Sequence, residues 1–375
     1  MNVVVTGVGL VSPYGSGVDA AITGLAAGRM CAAEREIAPG TKAMVAAVPE
    51  LAPSFEALRR ERRPAEAFLS DAVAQALAAI GKARPRGFYY GTCSGEMQRF
   101  EDWLSAITRG ETPSEPDHGA FYEAPALRVA RARDLPAPLV FTSACTSALT
   151  ALHAAYAAVK SGAVECALAA GSDATCAFAT TGFVVLKAAS AEQSRPFSRS
   201  RKGLNFGEGA AAVVLESEAS AAARGAKVLA RLQGVALSGD AKHVTAPRQD
   251  GAGLAVAIER ALGDWRSESI DAYVAHGTGT QANDAMELAI GTRFGFLGKR
   301  WLAHKAFIGH AMGASGLMSF ILANEQMRRG VELRVPYDDL EAGVALNGSL
   351  AGAKRAVASA AAFGGSNAAV AWERA

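Results

Sequence analysis

Apolar runs alternate along the chain with alanine-rich stretches whose apolar residues recur at helical spacing. This alternation predicts an α/β protein whose strands are buried on both faces between layers of helix. The expected strands are NVVVTGV, GFYYGT, PLVFTS, ECALAAG, GAAAVVLE, VLARLQGVAL, DAYVAHG, LAHKAFIG, RAVASAAAF and NAAVAWE. The expected helices include PAEAFLSDAVAQALAAIG, GAGLAVAIERALG, DAMELAIGTRF and SGLMSFILANEQMRRG. Two strands, VVVTGVGL and RLQGVALSG, share a faint repeat at the starts of the two halves.

One uncharged stretch, residues 135 to 159, is long enough to cross a bilayer. Its several Ser and Thr residues, and the lack of a basic flank, argue against a membrane span. The segment PLVFTS instead predicts a strand, and residues 146 to 160 predict a buried helix that is apolar on nearly every side. We therefore expect no membrane span.

The charge balance is nearly neutral, with 38 Lys and Arg against 36 Asp and Glu, so overall charge implies no nucleic-acid partner. The N-terminal segment MNVVVTGVGLVSP resembles a strand and lacks the features of a signal peptide, so we expect a cytoplasmic protein. The five cysteines show no CxxC spacing, which predicts neither disulfides nor a metal site. The basic segment LRRERRPAE is either a solvated helix start or a docking patch for an acidic partner.

Three residues are candidates for chemistry at strand ends. Cys145 follows a strand and opens a helix, where the helix dipole is expected to lower the thiol pKa, although a small buried cysteine is also common in cores. His276 and His310 lie in glycine-rich turns after apolar strands, in VAHGTGT and FIGHAMG. A strand-end cysteine with two such histidines predicts nucleophilic catalysis. Lys305, in an apolar strand, needs a carboxylate partner if it is buried, and Glu287 is the candidate.

Six ordered motifs identify a family resemblance that spans essentially the whole chain. They are VVVTGVGLVSP, TSACTSALTALHAA, SRPFSRSRKGLNFGEGAAAVVLE, AHGTGTQANDAMEL, HKAFIGHAMGASG and AAFGGSNAAV. Together they resemble the elongating β-ketoacyl synthases of the thiolase superfamily. The resemblance implies a duplicated, five-layered αβαβα fold with halves at residues 1–225 and 226–375. It also implies a homodimer, with a heterodimer with another synthase-like subunit as the alternative.

The resemblance assigns a role to each candidate. Cys145 accepts the acyl chain from a carrier-protein thioester, and His276 and His310 assist malonyl decarboxylation and stabilise the enolate. Lys305 and Glu287 support the histidine region. Thr278 and Thr280 hold the pantetheine arm. The backbone amides of Cys145 and Phe363 form the oxyanion hole, and the Phe363 ring is the gate. The implied partner is acyl carrier protein, and the only prosthetic group is the carrier's phosphopantetheine.

The chain departs from the family pattern around the expected acyl pocket. Leu204 and Ala361 stand where aromatic rings are usual, and Ala362 replaces a glycine in the gating loop. The resemblance implies condensation in fatty acid or specialised polyketide or polyene biosynthesis, and these changes favour a specialised pathway with an unusual or bulky acyl chain. In the family, the basic segment lies near the carrier-docking surface, which points to Arg59, Arg60, Arg62 and Arg63.

Three alternatives differ in their expected residues. A thiolase would need a second cysteine near the C-terminus, and none follows Cys176. An initiating or chalcone synthase-like enzyme would favour Asn in place of His310. A non-catalytic subunit that sets chain length for a partner synthase normally lacks the nucleophile, which this chain keeps, and it remains the alternative function.

Overall fold

The computed structural model describes residues 1–38, 40–49, 63–113 and 122–375. Arg59, Arg60 and Arg62 of the predicted docking patch lie outside this part of the chain. The strands are β1 (Val3–Ser12), β2 (Gly15–Ser16), β3 (Ala33–Ala38), β4 (Thr41–Ala46), β5 (Gly87–Gly91), β6 (Pro138–Phe141), β7 (Cys166–Asp173), β8 (Phe206–Gly207), β9 (Gly209–Ser217), β10 (Ala230–Gly239), β11 (Ala272–Val274), β12 (Arg300–Leu302), β13 (Arg355–Ala361) and β14 (Ser366–Arg374).

The helices lie between these strands and include the four that the apolar pattern predicts. They are α1 (Val18–Ala26), α2 (Pro64–Ile80), α3 (Met97–Thr108), α4 (Ala124–Arg133), α5 (Ser147–Lys160), α6 (Ala177–Val185), α7 (Glu218–Ala223), α8 (Ala252–Leu262), α9 (Gln281–Phe294), α10 (Lys305–Ile308) and α11 (Ser315–Arg329). In the described part of the chain, no helix combines the length and the apolar character needed to cross a membrane.

The strand order shows the duplication that the sequence only hinted at. One sheet runs β12-β11-β13-β14-β10-β1-β9-β7-β5-β6, with β2 paired to β1. The two strands of the faint repeat, β1 and β10, pair with each other antiparallel at the centre. From there, the order outward in one half, β9-β7-β5-β6, matches β14-β13-β11-β12 in the other. The predicted thiolase-like fold is therefore confirmed.

The two halves share even their irregularities. The β1–β9 register shifts between Val5 and Gly7, and the β10–β14 register shifts between Leu232 and Gly234. A Cβ atom on Gly7 would lie 2.4 Å from the carbonyl oxygen of a residue in helix α2, and one on Gly234 would lie 2.5 Å from the carbonyl oxygen of Ala261 in helix α8. Each glycine thus allows an outer helix to pack directly on its sheet.

Helices α5 and α11 lie in the middle of the molecule and pack against each other. Thirteen of the fifteen residues of α11 are buried, which explains why its sequence is apolar on several sides. The uncharged run of residues 135–159 is accordingly strand β6, a turn and most of α5. Both central helices point their N-termini at the same place, where the site lies.

Two local predictions differ from the structure. The run LAHKAFIG is not one strand, because β12 ends at Leu302 and Lys305 begins the short helix α10. The helix expected from residue 146 begins at Ser147 and is preceded by a 3₁₀ turn, Ala144–Thr146. Cys145 therefore lies in this tighter turn, which directly precedes the helix.

Candidate active site

The turn that holds Cys145 is braced on both sides. Ala144 adopts a φ of 50°, in the left-handed region that non-glycine residues rarely occupy. The Thr146 hydroxyl donates to the Ser143 carbonyl oxygen at 2.7 Å and lies 3.0 Å from the Ser366 hydroxyl, which belongs to the C-terminal half. These contacts hold the Cys145 side chain at the junction of the two halves.

His310 contacts the thiol directly. Its Nε2 lies 3.1 Å from the Cys145 Sγ, and its Nδ1 lies 2.8 Å from the Ser315 hydroxyl. Both histidines are buried, and the rings of His276 and His310 meet edge to face with centroids 5.2 Å apart. A cysteine, a hydrogen-bonded imidazole and a group that orients the imidazole form the geometry of an activated nucleophile.

Lys305 holds the second histidine through two contacts. Its Nζ donates to the His276 carbonyl oxygen at 2.5 Å and lies 3.3 Å from the His276 Nδ1. Lys305 and Glu287 both lie in the described part of the chain, and the expected direct ion pair between them is not formed there. The hydrogen-bond partners of this lysine, which is 5 % exposed, are thus a carbonyl oxygen and an imidazole, while Glu287 opposes the lowering of its pKa through space.

Glu287 acts on the backbone of the His276 turn. Its carboxylate accepts hydrogen bonds from the amides of His276 and Gly277, both at 2.7 Å. It also accepts bonds from the Tyr273 hydroxyl, the Asn283 amide group and the Ser359 hydroxyl. These five bonds satisfy a fully buried carboxylate, and the two bonds to amides fix the backbone position from which the His276 side chain extends.

Burial controls the protonation of the site. Removal from water raises the pKa of the Cys145 thiol to about 12, although the nearby Lys305 opposes this. The expectation of a lowered thiol pKa is therefore wrong, because desolvation of the thiolate outweighs the opposing effects of Lys305 and of a backbone hydrogen bond. Burial also lowers the pKa of His276 and His310 well below the usual value and that of Lys305 to about 8. The thiol needs a base, and two neutral imidazoles are at hand.

The same three side chains also have the spacing of a metal site. The ligand atoms of Cys145, His276 and His310 all lie within 4.8 Å of one another. Lys305, with its ammonium group 3.3 Å from the His276 Nδ1, would repel a cation at this point. The donor set fits proton transfer better than metal binding.

A cavity of about 310 Å³ opens above the thiol. Cys145, His276 and His310 lie in its wall, as do all five residues predicted to line the substrate pocket: Thr278, Thr280, Phe363, Leu204 and Ala361. The Thr278 and Thr280 hydroxyls are 2.9 Å apart. The nucleophile, both histidines and the two threonines therefore line one cavity, which is the candidate substrate site.

Phe363, which the family resemblance assigns to the gate, packs against a second aromatic ring. The Phe363 ring stacks on Phe183 with centroids 5.0 Å apart and an interplanar angle of 16°. Leu204 packs with Met312 and Phe206 in a small apolar cluster beside it. Leu204 and Ala361, the two positions where the resemblance predicts aromatic rings, both lie in the cavity wall and offer aliphatic surface there.

Two buried carboxylates of the site were missed in the sequence. Asp173, which ends β7, accepts bonds from the Thr92 hydroxyl, the Cys93 amide, and both the amide and the hydroxyl of Ser94. Asp284, in the first turn of α9, accepts from the Phe197 amide at 2.7 Å and the Gly279 amide at 3.2 Å. The signal was present for both, since each is an acidic residue at the end of an apolar strand or at the start of a helix.

Arg63 is the only member of the predicted docking patch within the described residues. Its guanidinium pairs with Glu66 at 2.6 Å, and its side chain is 21 % exposed. Arg128 pairs with Glu66 and Glu96 in the same cluster. Arg63 therefore has acidic partners of its own within the chain.

Comparison with known proteins gives consistent matches. Residues 1–221 match the beta-ketoacyl synthase N-terminal domain, and residues 229–334 match its C-terminal domain. Nodulation protein E of Rhizobium meliloti is 35 % identical over 281 residues, covering 72 % of this chain and 70 % of the relative. The ishigamide ketosynthase/chain length factor superposes with a TM-score of 0.87 at 28 % identity, over 100 % of this chain and 99 % of the other. A type II PKS acyl-carrier protein in complex with its ketosynthase bound to the hexaketide gives a TM-score of 0.85 at 25 % identity, over 100 % and 99 % of the chains.

Proposed function

We propose a course of reaction for this chain on the premise that it belongs to the β-ketoacyl synthase family. It is a condensing acyltransferase, and the reaction is the decarboxylative Claisen condensation of an acyl thioester with a malonyl thioester. The observation that carries the proposal is the 3.1 Å contact between the Cys145 Sγ and the His310 Nε2 at the floor of the cavity. The two groups are a nucleophile and its base in hydrogen-bond reach.

The first half of the reaction loads the enzyme. His310 takes the proton of the Cys145 thiol, and the thiolate attacks the carbonyl carbon of the incoming acyl thioester. The carbon–sulfur bond to the carrier breaks, and the departing carrier sulfur takes the proton. The pKa of the thiol, raised to about 12, makes this base necessary at neutral pH.

The second half forms the new carbon–carbon bond. Malonyl thioester loses carbon dioxide, and the electron pair left behind forms an enolate, whose oxygen accepts hydrogen bonds from the imidazoles of His276 and His310. The enolate carbon attacks the acyl group on Cys145 and expels the cysteine sulfur. The product is a 3-oxoacyl thioester two carbons longer.

The substrates arrive on the phosphopantetheine of acyl carrier protein, and the chain needs no other cofactor. Thr278 and Thr280, in the cavity wall, are placed to bind the amides of that arm. Two of the compared structures support such assemblies, since one holds an acyl-carrier protein with its ketosynthase and the other a ketosynthase/chain length factor. We place this chemistry in the cytoplasm and in a polyketide or other specialised pathway, with bulky acyl chains beside Leu204 and Ala361.

A second ketosynthase-like subunit, identical or not, covers the exposed apolar side chains of α6 and those of the edge strand β6. Phe178 and Val185 on α6 are 71 % and 73 % exposed, and Leu139 on the edge strand β6 is 59 % exposed. An unpaired edge strand next to exposed apolar side chains is a typical site of subunit contact. Size-exclusion chromatography with light scattering of the purified chain, alone and with candidate partner subunits, tests the assembly.

The function itself is tested by mass spectrometry of the intact protein. Incubation with an acyl carrier protein that bears a radiolabelled acyl chain is expected to add one acyl group on Cys145, and malonyl carrier protein is then expected to release the 3-oxoacyl product. A Cys145→Ala variant serves as the control and gains no acyl group. If the wild-type chain stays unacylated while a partner synthase needs it for activity, the chain-length-factor alternative is correct.

The docking patch is tested separately with charge reversals. Arg59→Glu, Arg60→Glu and Arg62→Glu are expected to raise the apparent KM for carrier-bound substrates without changing alkylation of Cys145 by iodoacetamide. Arg63→Glu is the comparison, because Arg63 pairs with Glu66 and its loss is expected to lower stability more than binding. If all four variants kept the wild-type KM for carrier-bound substrates, the carrier would dock elsewhere.

A further inference from the structure

The two histidines of the site have different partners on Nδ1. His276 faces the Nζ of Lys305, an ammonium group that donates hydrogen bonds and accepts none. The His276 Nδ1 must therefore accept, and its proton lies on Nε2. Lys305 fixes His276 as a hydrogen-bond donor towards the cavity.

His310 has no such constraint. Its Nδ1 faces the hydroxyl of Ser315, the first residue of α11, at 2.8 Å. A hydroxyl both donates and accepts, so it satisfies either tautomer of a neutral imidazole. Ser315 is 3 % exposed and His310 is 1 % exposed, which leaves no room for bulk solvent to take over this role.

The equivalent serine of the other half is used differently. Ser147 is the first residue of α5, as Ser315 is of α11. The Ser147 hydroxyl accepts from the Ser143 amide at 2.9 Å and donates to the Ala144 carbonyl oxygen at 2.7 Å, so both of its functions are taken up in its own turn. Only the serine of the C-terminal half is directed at a catalytic ring.

The proposed reaction asks His310 for two opposite states. During loading, Nε2 needs a free lone pair to receive the thiol proton from Cys145. During decarboxylation, the same atom needs a proton to donate to the enolate oxygen. A partner that only donates or only accepts at Nδ1 would favour one of the two steps.

We propose that Ser315 is a positioning residue that lets His310 serve both steps. While Cys145 is being loaded, Nδ1 carries the proton and donates it in a hydrogen bond to the Ser315 Oγ, which leaves Nε2 free to accept. While malonyl thioester is decarboxylated, the Ser315 hydroxyl donates to Nδ1 and the proton lies on Nε2. Between the two steps, after the spent carrier leaves, water in the cavity adds a proton at Nε2, and the Nδ1 proton leaves through the Ser315 hydroxyl, which passes a proton on to solvent. This inference rests on the condensation proposed above.

The test separates the two half-reactions in Ser315→Ala and Ser315→Thr. Without the hydroxyl, a buried Nδ1 lone pair is tolerated better than a buried, unpaired N–H group, so the ring is held with its proton on Nε2. Acyl transfer from an acyl N-acetylcysteamine thioester to Cys145 is expected to slow roughly 10²-fold in Ser315→Ala. Release of carbon dioxide from malonyl N-acetylcysteamine, compared between Cys145→Gln and Cys145→Gln with Ser315→Ala, is expected to stay nearly the same.

Rescue and a spectrum complete the test. Ser315→Thr keeps a hydroxyl at the same place and is expected to restore acyl transfer. The ¹⁵N spectrum of the histidine-labelled wild-type chain needs no variant, and it is expected to show one buried ring fixed with the proton on Nε2 and a second that changes state upon acylation of Cys145.

Two kinds of result would overturn the inference. Equal losses in both half-reactions, no loss in either, or failure of Thr to rescue would reduce Ser315 to a packing residue while condensation by the wild-type chain stands. A wild-type chain that neither loads an acyl group nor condenses would instead overturn the proposed function, and the role of Ser315 with it.

Discussion

The nucleophile turn, Ala144–Thr146, and its counterpart in the C-terminal half, Met312–Ala314, have the same backbone and opposite uses. Both are 3₁₀ turns that lead into a central helix, and their first residues have φ values of 50° and 42°. The second residue is Cys145 in one turn and Gly313 in the other. A Cβ on Gly313 would lie 2.8 Å from both the Asp173 Oδ2 and the Cys93 amide nitrogen.

The difference shows how duplication produced one site from two similar turns. The N-terminal turn has open space beyond its second residue and places a thiol there. The C-terminal turn fills that space with Asp173 and the backbone of Cys93, and so accepts no side chain. What the C-terminal half adds comes from the residues around its turn: His310 before it and Ser315 after it.

The largest expected effect comes from removing the side chain that distinguishes the two turns. Cys145→Ala makes the N-terminal turn as inert as its counterpart and is expected to lower condensation by at least about 10³-fold. Cys166→Ala is the matched control, because both cysteines are 6 % exposed and Cys166 has no histidine beside it among the contacts described. Radiolabelled product formation measures both, and comparable losses would mean that the thiol is not the nucleophile.

The next effect concerns the ionisable groups of the C-terminal half. Burial lowers the pKa of Lys305 to about 8, so its ammonium form is present below that pH and lost above it. Above pH 8, the neutral amine no longer forces the His276 proton onto Nε2. We therefore expect kcat for condensation to fall about tenfold per pH unit beyond 8. A rate that is flat or rising from pH 8 to 10 would contradict this, and alkylation of Cys145 over the same range reports the thiol separately.

A third prediction gives the C-terminal turn the side chain that it lacks. Gly313→Ala is expected to lower the free energy of unfolding by about 1–3 kcal/mol, because the new methyl group overlaps Asp173 and the Cys93 backbone. Gly182→Ala, in helix α6, is the control, since a Cβ there meets nothing within 4 Å and is expected to stabilise by up to about 1 kcal/mol. Urea unfolding measures both, and equal stabilities would show that this turn relaxes easily.

The smallest effect concerns the backbone that the turns share. Ala144→Gly removes the strain of a positive φ but adds freedom to the unfolded chain, so the free energy of unfolding is expected to change by less than about 1 kcal/mol. Asp134→Gly is the control, with a φ of 52° at the end of α4 and outside the residues that line the cavity. Only Ala144→Gly is expected to slow acylation of Cys145. An equal effect in both variants would show that the geometry of the nucleophile turn does not control catalysis.

Much of the fold followed from local patterns. Apolar runs placed β1, β7, β9 and β14, because strands buried on both faces need continuous apolar sequence. The ordered motifs also indicated that Cys145, His276, His310 and Lys305 would meet. The lysine was misplaced in a strand, since an apolar run as short as LAHKAFIG does not distinguish a strand from a buried turn.

The electrostatics of the site did not follow from local sequence. The raised pKa of Cys145 depends on desolvation, which results from packing between residues that lie more than a hundred positions apart along the chain, such as Cys145 and His310. Glu287 was predicted as the partner of Lys305, and it favours the charged lysine through space while its hydrogen bonds go to backbone amides, which local sequence did not indicate. Ser315 was visible in the sequence, yet a serine at the start of a helix is ordinarily read as a cap.

The position of β1 between β9 and β10 has a consequence for synthesis on the ribosome. This first strand pairs on one side with residues 209–217 and on the other with residues 230–239. At about 5–20 residues per second, roughly 10–40 s pass between the emergence of β1 and that of its first partner. During that time an apolar strand has two open edges, so the nascent N-terminal segment is the part of this chain that most needs a chaperone.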